Sequence, residues 1–402
     1  MSEIFNFLTN LLNCEAKKIN DWFENHHIKN PPFFYNSVDI RDSGYKIAPI
    51  DTNIFPAGFN NLSSVGQKNA TLEIKKFIAG HHANVKKIII LAESHTRNLF
   101  YLQNLYILKS LFPEYDIECS YLAQNGETDL SLTTSEGKNI NLYALKRNQN
   151  HVYIKKDFIA DLIIVNNDLT TGSPKILENI KQPLIPTLSM GWHNRKKYHN
   201  FLAYNHIAKE FAKEFNFDPF LIATEVGFCK DVNFKERKGL ECIALNLQKT
   251  LTKIANKYDE LKIDTKPYIY LKANRGTYGM GIMVIQDAEG IFSLNKKLRN
   301  QMNIIKQNTL NAEILIQEGI PTIDKFDNHS AEPFIYLVNG KPVGSILRIN
   351  SNKDHLSNLN SVGAKFVSID QDKNYQNKIP TYNLIAKLAA LAAAIEHKFD
   401  DE

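Results

Sequence analysis

Cysteine is scarce in this chain. The 402 residues hold four, Cys14, Cys119, Cys229 and Cys242, spaced widely and without a C-x2-C pair. That excludes a cysteine-built zinc site or a dithiol motif readable from spacing, and reduced thiols are expected. Long apolar runs are also missing. None approaches the roughly 20 residues needed to span a bilayer. The start, M-S-E-I-F-N-F-L-T-N-L-L-N, has no basic stretch and is broken by polar residues, so it reads as an amphipathic helix rather than a signal peptide. The expected compartment is the cytoplasm, with no membrane partner. Charge of one sign is in short supply: the net charge is +5 over the whole chain, with basic and acidic residues interspersed. No nucleic-acid-binding face is demanded. There is no internal repeat, low-complexity linker or long charge run. Neither G-x4-G-K-[ST] nor a helix-opening G-x-G-x2-G occurs, which removes the two commonest glycine-rich phosphate loops.

What is present is the composition of a globular protein, 43% apolar and 23% charged, long enough for two or three domains. Residues 1–30 read as helical and stop before Pro31 and Pro32. The segment 33–63 reads as irregular, though Asp39, Arg41, Asp42, Asp51 and Asn53 stand in it between apolar residues. Three buried strands then follow one plan. Lys87–Ala92 runs into E-S-H-T-R-N at 93–98, Asp161–Val165 into N-N-D-L-T-T-G-S-P at 166–174, and Leu184–Pro186 leads to S-M-G-W-H-N-R-K-K-Y at 189–198. Strands alternating with helices predict an α/β fold with a largely parallel sheet. Beyond residue 267 strands dominate and the fold reads as α+β. Asn339-Gly340 turns a hairpin, and an Ala/Leu helix over 382–398 ends the chain.

In open α/β sheets, ligands bind at the carboxyl ends of strands, where helix N-termini favour anions. Glu93, His95 and Arg97, then Asp168, then His193 and Arg195 occupy such positions. A zwitterionic substrate needs a cation for its carboxylate and a carboxylate for its ammonium. Arg97 or Arg195 would supply the first through a planar fork. Asp51, Glu93 or Asp168 would supply the second. Helix capping and surface charge are the plain alternative for each residue taken singly.

The richest stretch is L-K-A-N-R-G-T-Y-G-M-G-I at 271–282. Lys272 sits at the end of an apolar strand, and a loop carrying Gly276, Tyr278, Gly279 and Gly281 leads into a returning strand at Met283–Ile285. Free N–H groups in such a loop cradle anions, and glycine lets the backbone come close to a ligand. After it come I-L-I-Q-E-G-I at 314–320, A-E-P-F-I-Y-L-V-N-G-K-P-V-G-S-I-L-R-I-N at 331–350 and S-N-L-N-S-V-G-A at 357–364. This order resembles an ATP-grasp module. The resemblance implies that Gln317, Glu318 and Ile320 line an adenine and ribose site, that Arg348 faces the γ-phosphoryl group, and that Glu332 and Asn360, with Asn358 nearby, approach magnesium. The chain departs from that pattern in having no Glu-x-Asn after Arg348.

The whole chain resembles a glutamate–cysteine ligase family of some proteobacteria, an ATP-grasp-like type distinct from the larger bacterial and plant ligases. The matching segments are Y-I-Y-L-K-A-N-R-G-T-Y-G-M-G-I-M at 268–283, D-I-R-D-S-G-Y-K-I-A-P-I-D-T-N-I-F-P-A-G-F-N-N-L at 39–62, and S-M-G-W-H-N-R-K-K-Y at 189–198. The resemblance implies a pre-ATP-grasp α/β domain over 1–200 that binds the amino acids, and an ATP-grasp-like domain over 201–402. It implies the first step of glutathione synthesis: ATP, L-glutamate and L-cysteine react through a γ-glutamyl phosphate, with Lys272 and Arg348 catalytic and Mg2+ as cofactor. The alternatives are another ATP-grasp carboxylate–amine ligase, glutathione-synthetase-like or peptide-tailing, and a nucleotide-binding regulator.

Overall fold

The computed structural model describes residues 3–94, 97–124, 128–155, 157–276, 282–303 and 312–399. Three larger sheets organise them, beside a small three-stranded one over Lys146–Asn148, His151–Ile154 and Phe158–Ile159. The first joins the two ends of the chain. Its strands run in the order Lys365–Ser368, Lys341–Ile349, His329–Val338, Tyr35–Asp42, Ile47–Asn53, all antiparallel. Side chains alternate across it with the period of two that a strand imposes. Ile335 and Leu337 face one core, and Phe334, Tyr336 and Val338 face another.

The first core holds the helices Glu3–Cys14, Ala16–Lys29, Lys197–Glu214 and Ile379–Ile395. The last is apolar on nearly every side and is the centre of the packing, as a helix without a polar face must be. Pro380 stands in its first turn, where no N–H partner is lost. The second core lies between this sheet, the helix Ser64–His81 and a second sheet. That sheet is parallel through Leu184–Ile185, Leu162–Val165, Lys87–Ala92, Asp116–Tyr121 and Asn139–Ala144, and closes with antiparallel Leu130–Thr133. Asn98 caps the following helix, Leu99–Ser110, by accepting from Phe100 N and Tyr101 N.

The third sheet is antiparallel and sets the site. Its order is Val226–Cys229, Ile314–Glu318, Ile269–Ala273, Ile282–Ile285. Ile269, Leu271, Ile314 and Ile316 pack on one face against the helix Leu240–Glu260. Alternation therefore turns Tyr270, Lys272 and Gln317 to the opposite face, against Ile50 of the first sheet.

Two expectations are corrected. The segment 33–63 is not irregular: it supplies the two strands Tyr35–Asp42 and Ile47–Asn53. Its charged residues resembled a loop because their partners lie some 300 positions away, as Arg41 with Glu332 and Asp39 with Arg348. For the same reason a boundary at residue 200 does not separate structural units, since a cut there splits the first sheet. The Asn339-Gly340 turn has both residues at positive φ, 53° and 68°, as a two-residue type I′ hairpin requires.

Candidate active site

The third sheet meets the first in a narrow cleft of about 40 Å3. Asp39, Asp51, Lys197, Lys272, Arg275, Gly276, Glu332, Arg348, Asn358 and Asn360 line it with apolar Ile50, Ala273 and Ile282. The geometry thus gathers Asp51, Lys272, Gly276, Glu332, Arg348 and Asn360 from the sequence-based set. Gly276 has a φ of 93°, a conformation open to glycine and costly for other residues, just where the chain leaves the strand. His95, Tyr278, Gly279 and Gly281 lie outside the described residues.

The cleft is a web of ion pairs with a buried end and an open end. At the buried end Glu332 is fully enclosed between two guanidinium groups. Arg41 Nε lies 2.9 Å from its Oε2, and Arg348 Nη1 lies 2.7 Å from its Oε1. Burial would push this carboxyl up, but Arg41 and Arg348 outweigh it and hold it below the usual range. Arg41 is itself anchored, donating to the hydroxyl of Tyr270 at 2.6 Å and to the carbonyls of Ile320 at 3.0 Å and Ser357 at 2.5 Å. Arg348 reaches outward from this anchor. Its two Nη atoms hold the two oxygens of Asp39 at 3.0 and 3.1 Å, a bidentate pair. Burial raises the Asp39 carboxyl; Arg348 opposes the rise and Glu332 adds to it.

At the open end Lys197 Nζ sits 2.6 and 2.8 Å from the oxygens of Asp51 and 4.5 Å above the Trp192 ring. Burial alone would raise Asp51, yet Lys197 and Lys272 keep it below its ordinary value. Between the two ends stands Lys272. It is 7% exposed, and its one hydrogen bond among the described residues goes to the carbonyl of Ile50 at 3.0 Å. Burial pulls its ammonium down to about 8, with Asp51 resisting and Lys197 and Arg41 assisting. An ammonium so placed gains from any anion that enters.

Several expected site residues are elsewhere. Glu318 does not face a ribose pocket: it is fully buried, with Lys46 Nζ 2.6 and 2.7 Å from its oxygens and Glu225 N donating to Oε2. Gln317 is enclosed beside it and donates to Ile50 O at 3.3 Å, and Ile320 packs on Ala48 and Ile50 with its carbonyl taken by Arg41. An adenine edge expected along these three residues meets packed protein instead. Arg195 does not present its fork to a substrate. It is spent on Glu396, at 2.5 and 3.0 Å, and on the carbonyl of Thr52. Arg97 is exposed on the loop before the helix Leu99–Ser110. Asn53 folds back to accept from Phe55 N. Glu93, Asp168 and His193 form a separate group at the ends of the parallel strands. Glu93 accepts from Asp168 N, Asp168 from Thr170, and the His193 ring meets the carbonyl of Leu169 at 3.0 Å. Arg275, which lines the cleft, donates to the carbonyl of His193 in this group.

The donor set does not fit a protein-built magnesium site. Glu332 has both oxygens bound by arginines, and Asp39 and Asp51 are each bound by one cation. Asn358 accepts from the backbone N of Asn360. Among the described residues no group of three or more His, Cys, Asp or Glu side chains is arranged to hold a metal. Asp39, Arg41 and Lys197 stand in segments singled out from the sequence but were left out of the expected site set. Asp39 and Arg41 alternate with Ile40 in one strand, so the period of two was the available signal. For Lys197, standing at the start of a helix two positions past Arg195, no signal chose between the two.

A profile of the glutamate–cysteine ligase family matches residues 10–397. A crystal structure from Methylobacillus flagellatus KT, assigned only provisionally as a gamma-glutamylcysteine synthetase, shares 31% identity, covers 98% of this chain and 96% of its own, and superposes with a TM-score of 0.90. D-alanyl-alanine synthetase A from Vibrio cholerae O1 biovar eltor shares 13% identity over 76% of this chain and 81% of its own, with a TM-score of 0.36, too low to carry an argument. No curated protein sequence is significantly similar. Over nearly its full length, then, the chain belongs to the glutamate–cysteine ligase family.

Proposed function

We propose that the protein joins the γ-carboxyl of L-glutamate to the amine of L-cysteine at the expense of ATP, the first step of glutathione synthesis, and that the reaction takes place in the Lys272–Arg348 cleft. The observation that carries the placement is Lys272 itself: a buried ammonium bonded, among the described residues, to a single carbonyl, between two arginine-bearing walls. Triphosphate oxygens are the ligand such a charge favours, because phosphoryl transfer is helped chiefly by positioning and by charge neutralisation.

In this reading an amino acid enters at the open end. Its ammonium takes the Asp51 carboxylate and its α-carboxylate takes Lys197, so the existing ion pair opens around a zwitterion of matching charge. A γ-carboxylate oxygen attacks the γ-phosphorus and ADP leaves, giving an acyl phosphate. The cysteine amine then attacks the acyl carbon, the amine proton is lost and phosphate departs. Arg348 faces both steps. Glu332 and Arg41 fix its base while Asp39, on its outer edge, is the partner an incoming anion displaces. Enclosure matters because an acyl phosphate exposed to water hydrolyses. Arg195 is a positioning residue, holding the chain beneath Lys197 through Glu396 and Thr52.

The test is ADP release from ATP with each amino acid alone and in pairs, with the product fragmented by mass spectrometry. Release is expected to require glutamate and to be fastest with cysteine added, and the new amide should sit on the γ-carboxyl. An α-linked product, or equal release with γ-glutamylcysteine as the acid, would move the assignment to another carboxylate–amine ligase.

A further inference from the structure

Of the four cysteines, two that sequence spacing left unrelated are neighbours. Cys229 ends the strand Val226–Cys229, the edge of the sheet that carries Lys272. Cys242 stands in the first turn of the helix Leu240–Glu260, which packs on that sheet. One amide nitrogen, Asn246 Nδ2, lies 3.4 Å from Cys229 Sγ and 3.5 Å from Cys242 Sγ, and also donates to the carbonyl of Cys242 at 3.0 Å. A single small donor that reaches both sulfurs makes them neighbours. Cys242 is near enough to help raise the Cys229 thiol. The two differ in access: Cys229 is 1% exposed, while Cys242 is open to solvent. The remaining cysteines serve as internal controls, Cys14 exposed and Cys119 buried.

We propose that Cys229 and Cys242 form a reversible dithiol–disulfide couple, with low-molecular-weight disulfides as its oxidants. Access assigns the roles. The Cys242 thiolate attacks one sulfur of a disulfide RSSR, which forms a mixed disulfide and expels RS−. The Cys229 thiolate then attacks the Cys242 sulfur, the mixed S–S bond breaks, and a second RS− leaves. The protein gives up two protons and two electrons, and RSSR becomes two RSH. The bond fastens the end of the edge strand to the start of the helix across the 230–241 connection. Burial pushes the Cys229 thiol up to about 12, with Cys242 adding to the rise, so the second step is the slow one. The couple does not depend on which amino acids the cleft accepts.

The experiment exposes the folded protein to hydroxyethyl disulfide and follows intact mass, then maps peptides after blocking free thiols. An adduct on Cys242 should appear first and give way to a species lighter than the starting protein by about 2 Da, a linked Cys229–Cys242 peptide pair that dithiothreitol reverses. The closing step should quicken roughly tenfold per pH unit, because it needs the Cys229 thiolate. Cys242→Ser, a change at an exposed position, should leave Cys229 unmodified and abolish the linked pair. A mixed disulfide on Cys242 that never closes, a bond from Cys242 to Cys14, or an unreactive Cys242 would each overturn the proposal.

Discussion

Two buried lysines, Lys46 and Lys272, serve opposite ends of one sheet, and their surroundings separate a lysine that holds the fold from one that waits for a ligand. Lys46 is fully enclosed. It has both oxygens of Glu318 at 2.6 and 2.7 Å and the ring of Phe220 at 3.4 Å, and Glu318 is itself supported by Glu225 N. Lys272 is nearly as enclosed, yet among the described residues it has only the Ile50 carbonyl at 3.0 Å and a Tyr270 ring at 5.4 Å. Burial lowers the affinity of both for a proton. In Lys46 a carboxylate of the protein opposes that cost at contact distance. In Lys272 the leading opposing charge is Asp51, already paired with Lys197. A charge left so poorly matched is a cost to the empty protein, and an arriving anion removes it.

The largest effect is expected where the match is complete. Lys46→Met leaves Glu318 buried without its cation, and breaking such a pair from one side costs about 3–5 kcal/mol. Chemical denaturation should show that loss. The double variant Lys46→Met/Glu318→Leu should recover most of it, because an apolar pair of similar size carries no stranded charge. Turnover per folded molecule of the single variant should stay near wild type. A collapse of turnover in a variant still folded would mean that Lys46 and Glu318 belong to the site after all.

Lys272→Ala should give the reverse pattern. The fold loses an uncomfortable charge, so stability should hold or rise slightly. The value of kcat/KM should fall by about 10²–10³-fold, the usual scale for removing one group that neutralises developing charge. Steady-state kinetics beside a denaturation curve decides. Near-normal turnover would erase the difference between the two lysines.

The same contrast explains how much of the molecule was legible in the sequence. Lys272 could be found because its context is local: an apolar strand, then glycines. The parallel strands and the Asn339-Gly340 hairpin were legible for the same reason, since periodicity and turn chemistry act over a few residues. Glu318 was misplaced because a carboxylate after an apolar strand looks the same whether it faces ligand or lysine. Lys46 sits 272 positions away in sequence, and nothing local announces the pairing. Arg195 was misread likewise, because its partner Glu396 lies 201 positions away in sequence. Asp39 and Arg41 were hidden in the plain reading of 33–63 as irregular, and Glu332 was found but given a metal in place of its two arginines. Buried ion pairs put charged residues into strands where local pattern predicts loops.

The smallest expected effect is the sharpest on Lys272. Its ammonium is held down to about 8 in the folded protein, chiefly by burial, against 10.5 for an unperturbed lysine. Between those values the unfolded chain binds more protons than the folded one, so this group makes stability rise with pH across that window. A triphosphate beside Lys272 should restore the charged form. Binding of a non-hydrolysable ATP analogue near pH 8 should therefore take up roughly half a proton at this lysine. Titration calorimetry in two buffers of different ionisation enthalpy reads that number directly, because the nucleotide is fully ionised there and contributes little. Lys272→Met should bind more weakly and lose the uptake, while Lys46→Met, whose lysine meets no phosphate, should keep it. Uptake that survives in Lys272→Met would place the responding proton on another group and return Lys272 to the same class as Lys46.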